Sequence, residues 1–340
     1  MNKNEKNIPN LITDKEYIKN LFKSRLTDID SQAKHLVFLR SYPIKEHFDN
    51  DFFHYVILHN LTIKTKRDLR RRYKIFSASF SGHGRKKMYQ LLELAHESKF
   101  NDNESVTPQP LWYVDEIMSA FYIGVPGQNL LEHIKNGNLN RDLIKRTARA
   151  LFKLHQLKPS KEINLEKHKF SLNFLDPTDV IEREHNKRDN LAHQIKSQFK
   201  LLKHISKQIN SNKSHLSHGD FHPENVIVNE FKTKQIAIID FSESCLAPIY
   251  YDIASFLQQL QFMTKSYITP SQYYHAEKMF LDAYFNEVDI SPEVKSSINL
   301  YKSWTALKSA VYFIIFKDKD NRNFAAYLLK KSKQFSDNIH

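Results

Sequence analysis

His218-Gly219-Asp220-Phe221-His222-Pro223-Glu224-Asn225 is followed, fifteen positions after Asn225, by Asp240 at the end of the apolar run Ile236–Ile239. The string offers one carboxylate, a carboxamide five positions on, and then a second carboxylate. Such a set can move a phosphoryl group from a metal-bound nucleotide to a hydroxyl, a reaction that is mostly positioning and charge neutralisation. Asp220 would orient and deprotonate the acceptor. Asn225 and Asp240 would hold the ion, and hard oxygen donors of this kind suit Mg²⁺.

The chain between must bring these groups together. Val226–Asn229 and Ile236–Ile239 are short runs rich in β-branched residues, separated by the mainly polar Glu230–Gln235. That pattern predicts two antiparallel strands and a turn. In such a hairpin the start of the first strand and the end of the second share an edge. The spacing therefore predicts that Asn225 and Asp240 meet, with Asp220 on the loop leading in. The plainer reading is a polar loop beside an ordinary hairpin, since Asp, Asn and Pro are common turn formers. A zinc site from His218, Asp220 and His222 is a weaker alternative, because no further Cys or His at suitable spacing completes it.

The string HGDFHPEN, then IIDFSES, then Tyr251-Asp252-Ile253-Ala254, resembles the aminoglycoside phosphotransferase and choline kinase family of small-molecule kinases. The resemblance implies an α+β, two-lobed protein-kinase-like fold, with a small N-terminal sheet lobe and a larger, mainly helical C-terminal lobe. It implies ATP and Mg²⁺ as cofactors and a small-molecule hydroxyl as acceptor. Asp220 becomes the catalytic base, and Asn225 and Asp240 the metal ligands. His218 is implied to bond the backbone near the metal-binding Asp, and Asp252 to brace the catalytic loop from the next helix. We place the N-terminal lobe, with a helical extension, at residues 1–123 and the C-terminal lobe, carrying the catalytic loop and acceptor site, at 124–340.

The likeness continues upstream. Ile144–His155 resembles the family's helix closing with Leu-His, and Tyr122–Leu130 its passage out of the hinge. The resemblance puts the adenine on backbone groups around Phe121 to Ile123. It puts the strand Lys that reaches the nucleotide phosphates at Lys74, within Tyr73-Lys74-Ile75-Phe76. Where the family has a Glu partner for that Lys, this chain has Gln90, with Glu93 one turn on. The Gly-x-Pro that precedes the family's Tyr-Asp helix survives only as Pro248, with Leu246 in the glycine's place. These departures motivate a second reading, a catalytically inactive nucleotide-binding or scaffold protein of kinase shape.

Composition bounds both readings. A chain of 340 residues can bury a substantial core and accommodate two lobes. Cys245 is the single cysteine, which excludes intramolecular disulfides and fits a reducing cytoplasm. The Lys- and Asn-rich start has no apolar core of a secretory signal. The apolar run Ala310–Phe316 is too short for a membrane span. Net charge is +13, from 51 basic and 38 acidic side chains. A positive field favours anions such as nucleotide. The basic residues are spread widely apart from Lys64–Lys74, so a solvated face is preferred to a nucleic-acid interface. Pockets for cationic acceptors need carboxylates or aromatic cages. The C-terminal third offers Glu277, Asp282, Glu287, Asp289 and Glu293 among many Lys, which does not decide the substrate.

The remaining elements follow from periodicity and punctuation. Helices are expected at Asp14–Leu39, Arg85–Ser98, Arg141–Gln156, Ile181–Ile209, Tyr250–Phe262, Ser271–Phe285, Ser291–Phe316 and Arg322–Phe335. Strands are expected at Phe52–Thr62, Arg72–Phe80, Leu111–Glu116 and Met118–Ile123. Ser81–Gly84 reads as a turn and Pro159–Pro177 as a loop. The histidines His185, His193 and His204 read as solvated or half-buried, and Tyr273, Tyr274, Phe280, Tyr284 and Phe285 as core.

Overall fold

The computed structural model describes residues 7–48, 52–81, 85–170, 190–208, 213–231, 235–315 and 319–339. It divides into two compact units: residues 1–127, 159–164 and 229–242 form the first, and 128–158, 165–228 and 243–340 the second. The expected turn at Ser81–Gly84, most of its residues, lies outside the described residues. So do the end of the loop expected at Pro159–Pro177 and the first part of the helix expected from Ile181, with His185.

The first unit opens with helices α1 (Ile8–Thr13), α2 (Lys15–Ser24) and α3 (Leu26–Ile29). Strands β1 (Ala33–Phe48), β2 (Phe53–Thr65) and β3 (Arg70–Phe80) follow, then α4 (Lys86–Glu97), β4 (Ser105–Val106), β5 (Gln109–Val114) and β6 (Ser119–Ile123). The main sheet is antiparallel, in the order β1-β2-β3-β6-β5. Along β2 burial alternates with period two, as a strand covered on one face demands. Phe53, Tyr55, Ile57, Leu61 and Ile63 point into one core, and α1–α3 lay Ile8, Ile12, Ile18, Phe22, Leu26 and Ile29 over it. Phe22 packs edge-on against Trp112 and Phe121, both at 5.9 Å. Each such ring, fully buried, contributes about 2–3 kcal/mol.

The helix expected over Asp14–Leu39 does not form over that whole span. Asp14 caps α2 by accepting the Tyr17 N–H at 2.8 Å, but helix ends at Ile29. Arg71 and Tyr73 hold the Asp30 carboxylate at 2.9 and 2.8 Å, and the Gln32 N–H also bonds it. The chain turns there and pairs with β2 from Ala33 to Phe48. Leu36, Val37, Phe38 and Leu39 are consecutive apolar residues rather than a helical stripe, and tertiary pairing decides their state.

The second unit holds β7 (Gly127–Asn129), α5 (Leu130–Lys135), α6 (Arg141–Gln156), α7 (Asn190–Ile205), β8 (His215–Ser217) and β9 (Val226–Asn229), the two strands β7 and β9 each reaching its edge. After β10 (Ile236–Ile238), which belongs to the first unit and pairs parallel with β4, come β11 (Cys245–Ala247), α8 (Tyr250–Thr264), α9 (Pro270–Tyr284), α10 (Pro292–Ile315) and α11 (Lys319–Ser336). The turn before β10 is closed by Asn229 N–H on Gln235 O at 2.8 Å. Phe256 on α8 stacks on Phe280 of α9 at 4.6 Å and meets Phe221 at 5.3 Å. That aromatic column ties the helical core to the loop at 218–225. Among the described residues no helix is long and apolar enough to cross a membrane.

Candidate active site

The loop at 218–225 is positioned by α8. Asp252, in the first turn of that helix, is fully buried. Its carboxylate accepts the backbone N–H of His218 at 2.6 Å and of Gly219 at 2.9 Å, and faces His155 Nε2 at 3.0 Å. His155 Nδ1 in turn meets the Tyr284 hydroxyl at 2.6 Å. Burial alone would raise the Asp252 carboxyl, but the bonds and charges of His155, His218 and Gly219 outweigh it and hold it down. A buried carboxylate is tolerable only when its oxygens are satisfied in this way. Gly219 has φ +84°, and a Cβ there would sit 2.0 Å from Glu243 O, so the close approach requires glycine.

On this support sit Asp220, His222 and Asn225. The Asn225 side-chain N–H bonds Asp220 O at 2.9 Å. His222 Nε2 lies 3.1 Å from Asn225 Nδ2 and 3.5 Å from an Asp220 carboxylate oxygen. The Asp220 N–H points at His218 Nδ1 at 3.4 Å, and the Ser244 hydroxyl bonds His218 O at 3.3 Å. The Asp220 side chain is 48% exposed. Burial would raise its carboxyl, but the His222 bond and charge, with Lys308 and His218 beyond, bring it down to about 2. It is an ionised, accessible carboxylate at any working pH. Asn225 spends its N–H groups on Asp220 and His222, and its carbonyl oxygen accepts no hydrogen bond among the described residues. A hard cation such as Mg²⁺ fits that oxygen.

In the first unit, Asp240 follows β10 with φ +60°, a conformation uncommon outside glycine, and its side chain is half exposed. The Arg85 guanidinium, 8% exposed, stands 3.7 Å from the Asp240 carboxylate. Arg85 Nη2 donates to His54 Nε2 at 2.9 Å, and the guanidinium lies over the Phe80 ring at 5.6 Å. Burial, then the charges of Arg85 and Lys45, lowers His54 to about 4, so the ring is neutral and accepts. Lys74 is exposed on β3, and its carbonyl accepts the Gly124 N–H at 3.1 Å. No ion pair engages Lys74 among the described residues. Burial and the nearby Glu93 carboxylate raise the Tyr89 hydroxyl above its ordinary value. Phe121 and Ile123 lie on β6, opposite Ser77 and Ile75 of β3.

Asp220, Asn225, His218 and Asp252 are thus gathered in the second unit, whereas Asp240, Lys74, Phe121 and Ile123 belong to the first. Arg85, His54 and Lys308 carry charge or hydrogen bonds at these residues without having been singled out for a site. Their partners lie far away in sequence, and no local spacing marks them.

A family model described as "APH: Phosphotransferase enzyme family" matches residues 83–279. No curated protein matches the sequence. Among solved structures, an ethanolamine kinase of Plasmodium vivax superposes with TM-score 0.65 at 16% identity, covering 100% of this chain and 96% of that one. A choline kinase of Cryptosporidium parvum gives 0.63 at 12% identity, covering 95% and 96%. An amicoumacin kinase in complex with AMP-PNP, Ca²⁺ and Ami gives 0.60 at 13%, also covering 95% and 96%.

Proposed function

The chain belongs to the phosphotransferase enzyme family, and from that premise we propose that it transfers a phosphoryl group from ATP to a hydroxyl of a small molecule. Asp220 is the base. Its half-exposed, ionised carboxylate, on a backbone pinned by Asp252, is the observation that carries the proposal. Asp220 aligns the acceptor hydroxyl and takes its proton as the new O–P bond forms and the bond to ADP breaks. Proton transfer of this kind contributes about 10²–10⁴-fold.

Asn225 and Asp240 are the proposed Mg²⁺ ligands. When bound, the ion neutralises charge on the phosphates. Lys74 is assigned to the nucleotide phosphates, and the β6 backbone at Phe121 and Ile123 to the adenine. His218 and Asp252 hold the loop. The amicoumacin kinase with AMP-PNP and Ca²⁺, which shares the fold, supports a nucleotide and a divalent ion. ATP as donor supports a cytoplasmic location.

The decisive experiment is Asp220→Ala. It should lower kcat about 10³-fold while ATP affinity, measured by calorimetry with Mg²⁺, stays within a few fold. Turnover equal to the parent chain would remove Asp220 from its role. The second reading, a non-catalytic nucleotide binder, is favoured by one observation: among the described residues no ion pair joins Lys74 to α4, which carries the amide Gln90 where the family has its Glu. Thermal stabilisation by ATP and Mg²⁺ without phosphorylation of any acceptor would establish that reading instead.

A further inference from the structure

Building on the phosphotransferase reading, we propose that the acceptor carries an anionic group, a phosphate or a carboxylate, close to its hydroxyl, and that Lys308 binds it. Lys308 lies on α10, amid the buried run Tyr301–Leu307 and Ala310–Val311, and is itself only partly exposed. Its one polar partner among the described residues is the Tyr251 hydroxyl, 3.3 Å away. Tyr251 immediately precedes Asp252, whose carboxylate holds the loop that carries Asp220. No carboxylate comes within ion-pairing distance of Lys308 among the described residues, although Asp220 and Glu243 both lie close enough for their charges to act on it. Tyr251 and these carboxylates outweigh burial and hold the amine above its ordinary value, so it remains a cation. Those charges act without contact, so the partly exposed ammonium has donors to spare beyond its one bond to Tyr251. An anion on the acceptor would complete it.

Cationic acceptors fit this place poorly. The Tyr251 ring beside Lys308 is not part of an open cage: Tyr251, Tyr301 and Trp304 are 5%, 6% and 1% exposed, the two tyrosines meeting each other and all three rings meeting His168. The cation over the Tyr251 ring, at 5.8 Å, is Lys308 itself. A second group of carboxylates lies elsewhere in the unit. Glu277, Asp282, Glu287 and Asp289 line one groove, and no residue of the 218–225 loop lines it.

The test uses the full chain, with ATP and Mg²⁺, and acceptors of three charge classes: choline, ethanolamine and kanamycin; glycerol and glucose; glycerol 3-phosphate, glucose 6-phosphate and gluconate. Products are read by mass spectrometry. Separately, inorganic phosphate and gluconate are titrated calorimetrically, with AMP-PNP and Mg²⁺ present, into the parent chain and Lys308→Met. We expect products from the anionic class, and a rise in KM of roughly 10- to 100-fold in Lys308→Met with a smaller change in kcat. Phosphate or gluconate affinity should fall by a similar factor, and the stronger of the two identifies the anion. Products from cationic or neutral acceptors alone, or equal anion affinity in the two proteins, overturn the inference. Lys308-dependent anion binding with no phosphorylated product would sink the phosphotransferase reading and leave the inference standing. Asp220-dependent turnover of choline would do the reverse.

Discussion

Asp220 combines two properties that usually conflict. It is accessible enough to meet an acceptor, yet its surroundings strip its proton at about pH 2. A base with so low a folded value stays ionised until the solution is strongly acid. The kcat–pH profile should therefore be flat between pH 8 and pH 5, apart from loss of folded protein. Because His222 is the largest influence holding the carboxyl down, His222→Leu should move the acid limb upward. A parent profile with a limb near pH 6 would mean that another group titrates in the rate-limiting step. The candidates at this scale were legible because a short loop carries them: Asp220, Asn225 and His218 fall within eight residues. Arg85 and Lys308 were not. Arg85 meets His54 and Asp240, and Lys308 meets Tyr251 across 57 positions. Only tertiary packing creates those encounters.

At the scale of elements, α8 and the residues after β10 build the loop jointly. Asp252 takes two backbone N–H groups of the loop, and the chain near Glu243 presses against Gly219. Gly219→Ala combines a left-handed φ with a backbone clash, and should destabilise by about 2–4 kcal/mol. Urea unfolding followed by circular dichroism measures this, and a change under 0.5 kcal/mol would show that the contact is easily relaxed. Most helices were readable from their apolar periodicity: Arg141–Gln156 appears as α6 with the expected ends, and Asn140 caps it. The long strand β1 was not, because its pattern is ambiguous alone. It is defined by β2, which pairs with it from Thr65 to Phe53.

For the molecule as a whole, acid should be the main threat. His59 is fully buried between Ser41 and Ser77, stacked near Phe121, and burial lowers it to about 3. His54 and His168 are both lowered to about 4, chiefly by burial. An unfolded His takes up a proton near pH 6.5 that the folded ring refuses. Stability is thus fully present above pH 6.5 and falls as pH drops toward the folded values, at about 1.4 kcal/mol per unit for His59 alone. The melting temperature should decline steeply between pH 6.5 and pH 4.5. His59→Gln should flatten that decline while lowering stability at pH 7. An equal slope in both proteins would assign the loss to other groups. The net charge of +13 adds self-repulsion in the same direction.

The helices at 8–29 have a further consequence. They supply six of the sixteen buried residues in the core over the sheet's apolar face, with Phe22 meeting Trp112, Phe121 and the His59 ring. Trimming them away would leave Phe53, Tyr55, Ile57, Leu61 and Ile63 facing solvent in one row. A wet greasy strip of that kind invites self-association. This segment behaves as a keel rather than a tail.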